Sequence, residues 1–527
     1  MLQRLGEFRL ASSRLDYVHT ARVAADRSLR IEQGRRVPFG WSCFSVAPDR
    51  VSAPVVLHWS ESAAALIETA DGRSVSLRIT AAADVWEDVR LEVALAQSGQ
   101  QVGEMVIRYA DVFQIMECPL SAADAALAAR QGLRLRMVEG DRPLWLFGGE
   151  DDVGGTSAVE EGHGGSGGRT GHPMFAPHFV LYDDDTPAAV RYERYKQQLA
   201  SYSSLQQFCW KEGCVLDGLY DMSAADPQPS RYSEAIDRHL ALYIDSSGAL
   251  RYEDARTRIV DGTIYGIEAT LPFAVIARKQ PDHPSIRIMT DYYRDTMGAD
   301  GALYDNDVLS AEGAYTVAYP LAVIAKQQAL PQLEEWAIRQ LGVRRERLPE
   351  GDALYLRRSD AGIGTFRNWI RGYTWYLLGF VRTLSELAHR ADLEPYKGEF
   401  VRVAEIALSH QRGDGLWSCF VDEPDVLPDT SGSAGIAAAL ALGANAGLLP
   451  PSARERAALT LSTLQRHYLT ADGILSGASQ ANKNGEALQR CDYRINAQVG
   501  MGLMAQLAAA LAAEPVTARS GDSALHL

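Results

Sequence analysis

The chain has 527 residues, 46% of them hydrophobic and 23% charged, with a formal net charge of −15. That length exceeds one ordinary core and makes two domains the starting expectation, while the composition excludes disorder over long stretches. The negative charge excludes a nucleic-acid surface, which needs clustered Lys and Arg, although a few local arginines can still gather an anionic ligand in a pocket.

Six cysteines are scattered along the chain, and only Cys209 and Cys214 lie close together, without CxxC spacing. Neither a zinc site nor a disulfide framework is readable from them. The opening residues, MLQRLGEFRLASSRLDY, carry no apolar secretion segment, and no apolar run reaches the length of a membrane span. A cytoplasmic chain without a membrane partner is therefore expected.

In chain order, residues 1–148 read as a β-rich domain. PVVLHW (54–59), SVSLRI (74–79), VRLEVAL (89–95), EMVIRY (104–109) and LRLRMV (133–138) are short, apolar or alternating, and bounded by turn residues. They fit an antiparallel sandwich-like domain, with a helical turn at 126–130. Residues 149–186 open on a Gly-rich stretch with no GxxxxGK[ST] pattern, expected as a linker or a mobile loop over the next domain. Twelve helices follow, near 187–203, 205–223, 231–244, 262–279, 284–297, 312–329, 331–342, 367–390, 395–412, 431–447, 451–468 and 494–513, and residues 516–527 form a tail.

A repeat organises these helices. Ser247-Gly248-Ala249-Leu250, Asp300-Gly301-Ala302-Leu303, Gly351-Asp352-Ala353-Leu354, Asp414-Gly415-Leu416-Trp417 and Asp472-Gly473-Ile474-Leu475 are alike. They stand one helical hairpin apart, each ending one helix before a loop into the next, which marks a repeat architecture. The segments 431–447 and 500–513 are rich in small residues that allow close helix approach. Six inner and six outer helices make an (α/α)6 barrel over residues 187–515, so the fold class is mainly α, with the β-domain in front.

The loops that precede the inner helices are polar and aromatic. They hold Trp210, Glu212, Asp261, Tyr265, Glu312, Tyr315, Arg367, Arg371, Trp375 and Asp429. Flat aromatic faces stack on sugar rings, arginine pairs with carboxylates, and acids move protons, so this mixture suits an acidic oligosaccharide. Asp261 and Glu312, in Asp261-Gly262 and Glu312-Gly313, stand at similar points of successive repeats and form the candidate acid–base pair. An acid ahead of a helix is equally a good N-cap. Arg367 and Arg371 serve either a uronate or a rim salt bridge. Trp375 serves as platform or core, and Asp429 as ligand or cap. Arg256 and Arg258 read as loop charges. His163, His172, His178 and His467 have no metal-ligand spacing, so neither a metal nor a cofactor is expected.

Five motifs carry a family resemblance over residues 205–513: Trp210-Lys211-Glu212-Gly213-Cys214, Val260-Asp261-Gly262, Glu312-Gly313-Ala314-Tyr315, Arg371-Gly372-Tyr373-Thr374-Trp375-Tyr376 and Asp429-Thr430-Ser431-Gly432-Ser433-Ala434. The chain resembles the unsaturated uronyl hydrolases of glycoside hydrolase families 88 and 105, and the related glucuronidase family 154. The resemblance implies the same barrel and removal of a terminal uronic acid by protonating a vinyl-ether double bond and adding water. It also implies active-site roles for Asp261 and, in place of the usual aspartate, Glu312, with Arg371 and Trp375 binding substrate.

A glutamate at 312 reaches one methylene further, which brings a saturated β-glucuronide into view as substrate. A polysaccharide lyase or a non-catalytic acidic-sugar-binding protein on the same barrel are the remaining alternatives. The β-domain carries no motif, and three roles stand open for it: extending the pocket, forming a homodimer interface or bracing the barrel.

Overall fold

The structure, a computed structural model, describes residues 13–69, 72–149, 172–245, 247–305 and 307–514. The Gly-rich segment 150–171 and the tail 516–527 lie outside them. No helix among the described residues is long and apolar enough to cross a membrane, and the six cysteines are free thiols.

The first domain is built from antiparallel ladders. One sheet runs β2 (Arg22–Ala24), β4 (Val55–His58), β9 (Leu133–Glu139), β6 (Asp88–Leu95) and β7 (Gln101–Arg108). The other runs β1 (Leu15–His19), β11 (His178–Tyr182), β5 (Ser74–Thr80) and β8 (Ile115–Leu120). A further pair joins β3 (Cys43–Val46) to β10 (Leu144–Phe147). Leu57, Leu91, Val93 and Leu135 of the first sheet and Leu77, Ile79 and Phe179 of the second close on one shared core. Helices α1 (Glu61–Glu68) and α2 (Ala122–Gln131) pack on it. Strand β11 corrects one expectation. Residues 178–182, placed in a linker, are the second strand of a sheet, paired with β1 and β5 on either side.

The helical domain alternates outer and inner helices. The outer set is α3 (Ala188–Leu199), α5 (Pro229–Tyr243), α7 (Ser285–Thr296), α9 (Pro331–Arg347), α11 (Glu394–Ser409) and α13 (Pro451–Thr463). Four of these open with Pro at the first or second position, where the missing N–H costs nothing. The inner set is α4 (Trp210–Ala225), α6 (Phe273–Lys279), α8 (Tyr319–Gln328), α10 (Ile370–Glu386), α12 (Thr430–Asn445) and α15 (Gln498–Ala512). A short α14 (Gly485–Arg490) lies in the loop before the last. Each inner helix packs on the next, and α15 returns to α4, so the ring is closed.

The repeat has a physical cause. Gly248, Gly301, Gly351, Gly415 and Gly473 all have φ between 59° and 90°, where a side chain is strained. In four copies the same tight turn recurs, as in the bonds from Asp245 N to Ala249 O and from Thr470 N to Ile474 O. The copy at Gly351 differs. There β13 (Pro349–Glu350) turns into β14 (Ala353–Ser359), which also pairs with β12 (Val308–Ser310) and β15 (Gly364–Arg367). This small sheet, absent from the helical expectation, rises at the rim ahead of α10.

Close approach of backbones closes the ring. A Cβ on Gly218 would stand 2.4 Å from Gly502 O, and one on Gly502 would stand 2.5 Å from Cys214 O. Neither obstacle is a flexible side-chain end. Gly502→Val is expected to lower stability by about 1–3 kcal/mol through overpacking, read as a lower urea midpoint. Gly398→Ala, on the exposed face of α11 with nothing within 4 Å, is expected to raise stability by about 0.5–1 kcal/mol. Equal midpoints for the two variants would leave ring closure unexplained.

Candidate active site

All loops that lead into the inner helices open on one rim, and the acids gather on one side of it. Ile267–Thr270 forms a 3-10 turn ahead of α6, and Ala314–Ala318 a π turn ahead of α8. Glu268 sits in the first and Glu312 two residues before the second, so they hold equivalent places in successive repeats. Carboxylate oxygens of Glu268, Asp305 and Glu312 lie within 4.8 Å of one another. Arg357 reaches in from β14, 3.4 Å from Asp305 and 3.8 Å from Glu312. Ser310 Oγ donates to Glu312, and Tyr265 Oη donates to Glu268 at 3.1 Å.

Glu312 is buried while Glu268 and Asp305 are partly exposed. Burial first, then the charges of Glu268 and Asp305, push the Glu312 carboxyl up to about 8 against the pull of Arg357. Burial and Asp305 also raise Glu268. Burial and like charge therefore both favour the protonated form of the Glu312 carboxyl. These three are also the acids among the described residues close enough to ligate a cation jointly. The guanidinium of Arg357 already supplies positive charge to them.

Asp261 does not join this cluster. The expected helix from 262 begins at Ile267, and Asp261 stays in the preceding loop, where Arg36 of the β-domain grips it with two bonds of 2.7 and 2.8 Å. It also accepts from Tyr252 N at 2.9 Å, and Arg36 holds Glu253 as well. The pairing expected between Asp261 and Glu312 is thus replaced by Glu268 and Glu312. The signal for Glu268 was its register: it sits in the opening turn before α6, where sequence spacing alone favoured the more visible Asp-Gly. Asp305 and Arg357 belong to a loop and a strand that the helical reading passed over.

The other expected residues divide. Trp210 is half-exposed and packs on Trp375 with ring centroids 5.0 Å apart. Buried Trp375 lies between it and Tyr315, whose phenol donates to buried Asp217 at 2.6 Å. Tyr265 faces Glu268. Glu212 is sealed away from solvent with His239 and Gln206 N. Arg367 is exposed and pairs with Asp422. Asp429 takes the cap of its two alternatives, through Ser431 N and Gly432 N, and its other oxygen holds Arg371 Nε at 3.0 Å. Arg371 also donates to Ser479 O and lines a tight cavity with Trp210 and Lys211. Arg258 pairs with Asp254, and Arg256 lies 3.8 Å over Trp86, so both stay out of the cluster.

A closed double ring of helices with clustered acids and aromatic faces at the ends of its inner helices is the frame of an (α/α)6 barrel of the kind glycoside hydrolases use. The family model described as Glycosyl Hydrolase Family 88 matches residues 357–513. Over that stretch, under a third of the chain, it supports the resemblance to family 88 and a glycoside hydrolase barrel. No curated protein matches.

Among solved structures, a "possible member of GH105 family" from Salmonella enterica shares 14% identity and a TM-score of 0.52, covering 62% of this chain and 93% of that one. One from Klebsiella pneumoniae described in the same words shares 15% and 0.52, covering 62% and 92%. A family 105 glycoside hydrolase from C. acetobutylicum shares 17% and 0.52, covering 62% and 99%. These likenesses show the fold.

The raised Glu312 carboxyl has a stability consequence. Its ordinary value is 4.5 and its folded value about 8, so between these the native state keeps a proton that the unfolded chain has lost. Stability from this group is full below the lower value and falls as pH rises through the higher one. Urea unfolding of Glu312→Gln across pH 5 to 8 (roughly the window of the shift) is expected to show a flatter decline than wild type. Parallel profiles would mean that this proton lies elsewhere.

Proposed function

We propose that the chain is an exo-acting hydrolase that removes a terminal unsaturated glucuronyl residue from an acidic oligosaccharide. The observation that carries this reading is the buried Glu312 carboxyl with an oxygen within 4.8 Å of those of Glu268 and Asp305, where burial and like charge favour its protonated form. In the 4,5-unsaturated ring, Glu312 delivers its proton to C4 of the C4=C5 double bond. The positive charge that develops at C5 is shared with the ring oxygen and faces the neighbouring carboxylates. Glu268 takes a proton from water as that water adds to C5. The resulting hemiketal opens and the next sugar leaves.

The spacing of the acids supports hydration over one form of direct cleavage. Inverting glycosidases keep their two carboxyls about 6.5–9.5 Å apart to admit a water between them, whereas oxygens of this cluster lie within 4.8 Å. A saturated β-glucuronide is the second reading, favoured by the longer reach of a glutamate at position 312, and it would proceed with retention.

Glu312→Gln and Glu268→Gln are each expected to lower kcat by about 10²–10⁴-fold, the usual size of general acid–base catalysis. The measurement follows loss of the ultraviolet band of a 4,5-unsaturated glucuronyl disaccharide, with release of nitrophenol from p-nitrophenyl β-D-glucuronide in parallel. Turnover of the second substrate alone would select the saturated reading. Asp261→Asn is expected to loosen the domain junction and leave kcat within about tenfold. A folded Asp261→Asn that is inactive while Glu268→Gln is active would return the role to Asp261.

A further inference from the structure

The solved relatives are covered over 92–99% of their length by 62% of this chain, so more than a third of the chain has no counterpart in them. Part of that remainder reaches the barrel mouth. The segment between β7 and β8 turns through Tyr109 and Phe113, both with φ above 50°, and sets Asp111 against the start of α4. Asp111 accepts from Lys211 at 2.8 Å and from Lys483 at 2.7 Å. The three side chains are 6–13% exposed.

Two ammonium groups thus share one carboxylate in a buried place. Lys483 stands behind Asp111, bonded also to Ala110 O and lying over Trp86. Lys211 stands in front. Its ammonium lies 5.5 Å from the centre of the Trp210 ring, and it lines the cavity that Arg371 and Trp210 also line. It feels the charge of Glu268 as well. Arg371 is neutralised by Asp429. With Lys483 supplying the counter-charge of Asp111, Lys211 keeps positive charge facing the cavity. The cavity admits a group of about the size of a water molecule, or of one carboxylate oxygen.

We propose that Lys211, set in place by Asp111 of the β-domain and backed by Lys483, is the seat of the substrate's carboxylate, which makes the N-terminal domain part of the active site. This rests on the uronate reading above and names the residue that recognises the acid.

The test is binding, not turnover, so it is separable from the hydrolase reading. Calorimetric titration of the full chain with D-glucuronate, D-glucose and inorganic sulfate is expected to show glucuronate at least about tenfold tighter than glucose, the size of one charge-assisted contact. Lys211→Met should bring the two sugars within about twofold while leaving glucose affinity unchanged. Lys483→Met should weaken glucuronate and shrink its preference over glucose, because Asp111 then neutralises Lys211 alone. It tests the same point if the first variant does not fold. A full preference retained in Lys211→Met, an unchanged affinity in Lys483→Met, or sulfate binding as tightly as glucuronate would each overturn the assignment.

Discussion

The contact on which the rest depends is the meeting of α4 and α15 backbones at Gly218 and Gly502. It joins the first inner helix to the last and turns a row of hairpins into a ring. Only then do the six loops of the inner helices face one mouth. The same economy recurs around the circle, where Gly379 lies against the backbone of Ala314, Gly432 against Ile370 and Gly435 against Thr374. Small residues lose contact area, but they bring main chains together, and the density of the interior is recovered by the neighbouring turns. The composition of 431–447 and 500–513 is therefore a geometric requirement of the mouth rather than a feature of those helices alone.

The β-domain is fixed to that mouth by buried charge. Arg78 meets Asp472 at 2.7 Å with both side chains almost fully buried, and Tyr17 adds a bond to the same aspartate. Arg36 meets Glu253 and Asp261, and Asp111 meets Lys211 and Lys483. Removing one partner from any of these leaves a charge without water or counter-ion, which is far costlier than the pair is stabilising. Their value is orientation: each pair joins a β-domain residue to a loop of the rim. This answers one of the three roles left open by the sequence, since these contacts brace the barrel.

Much of the fold was legible because period and punctuation agree there. The recurring glycines mark left-handed turns that no other residue adopts cheaply, and small-residue segments mark inner helices. The sheet of β12 to β15 was not legible, because Ala353–Ser359 alternates for only a few residues beside a repeat glycine and looks like one more helical loop. In the site, Glu312 was legible from its place before a helix. Glu268 was hidden because the chain runs five residues past Gly262 before the inner turn begins, and Asp261 had a partner, Arg36, that is 225 residues away in sequence. Asp305 and Arg357 have no local signal. They become functional only when a loop and a strand meet over the same helix ends.

The chemistry of the mouth follows from where charge is compensated and where it is not. Asp261, Asp429 and Glu212 are each answered by a fixed partner and by backbone amides or buried side chains, so they hold structure. Glu268, Asp305 and Glu312 crowd together near Arg357, and burial and like charge push the Glu312 carboxyl toward its protonated form. An acid made by like charge and burial together is poised to give up its proton when positive charge develops beside it, because the neighbouring carboxylates then gain an attractive partner.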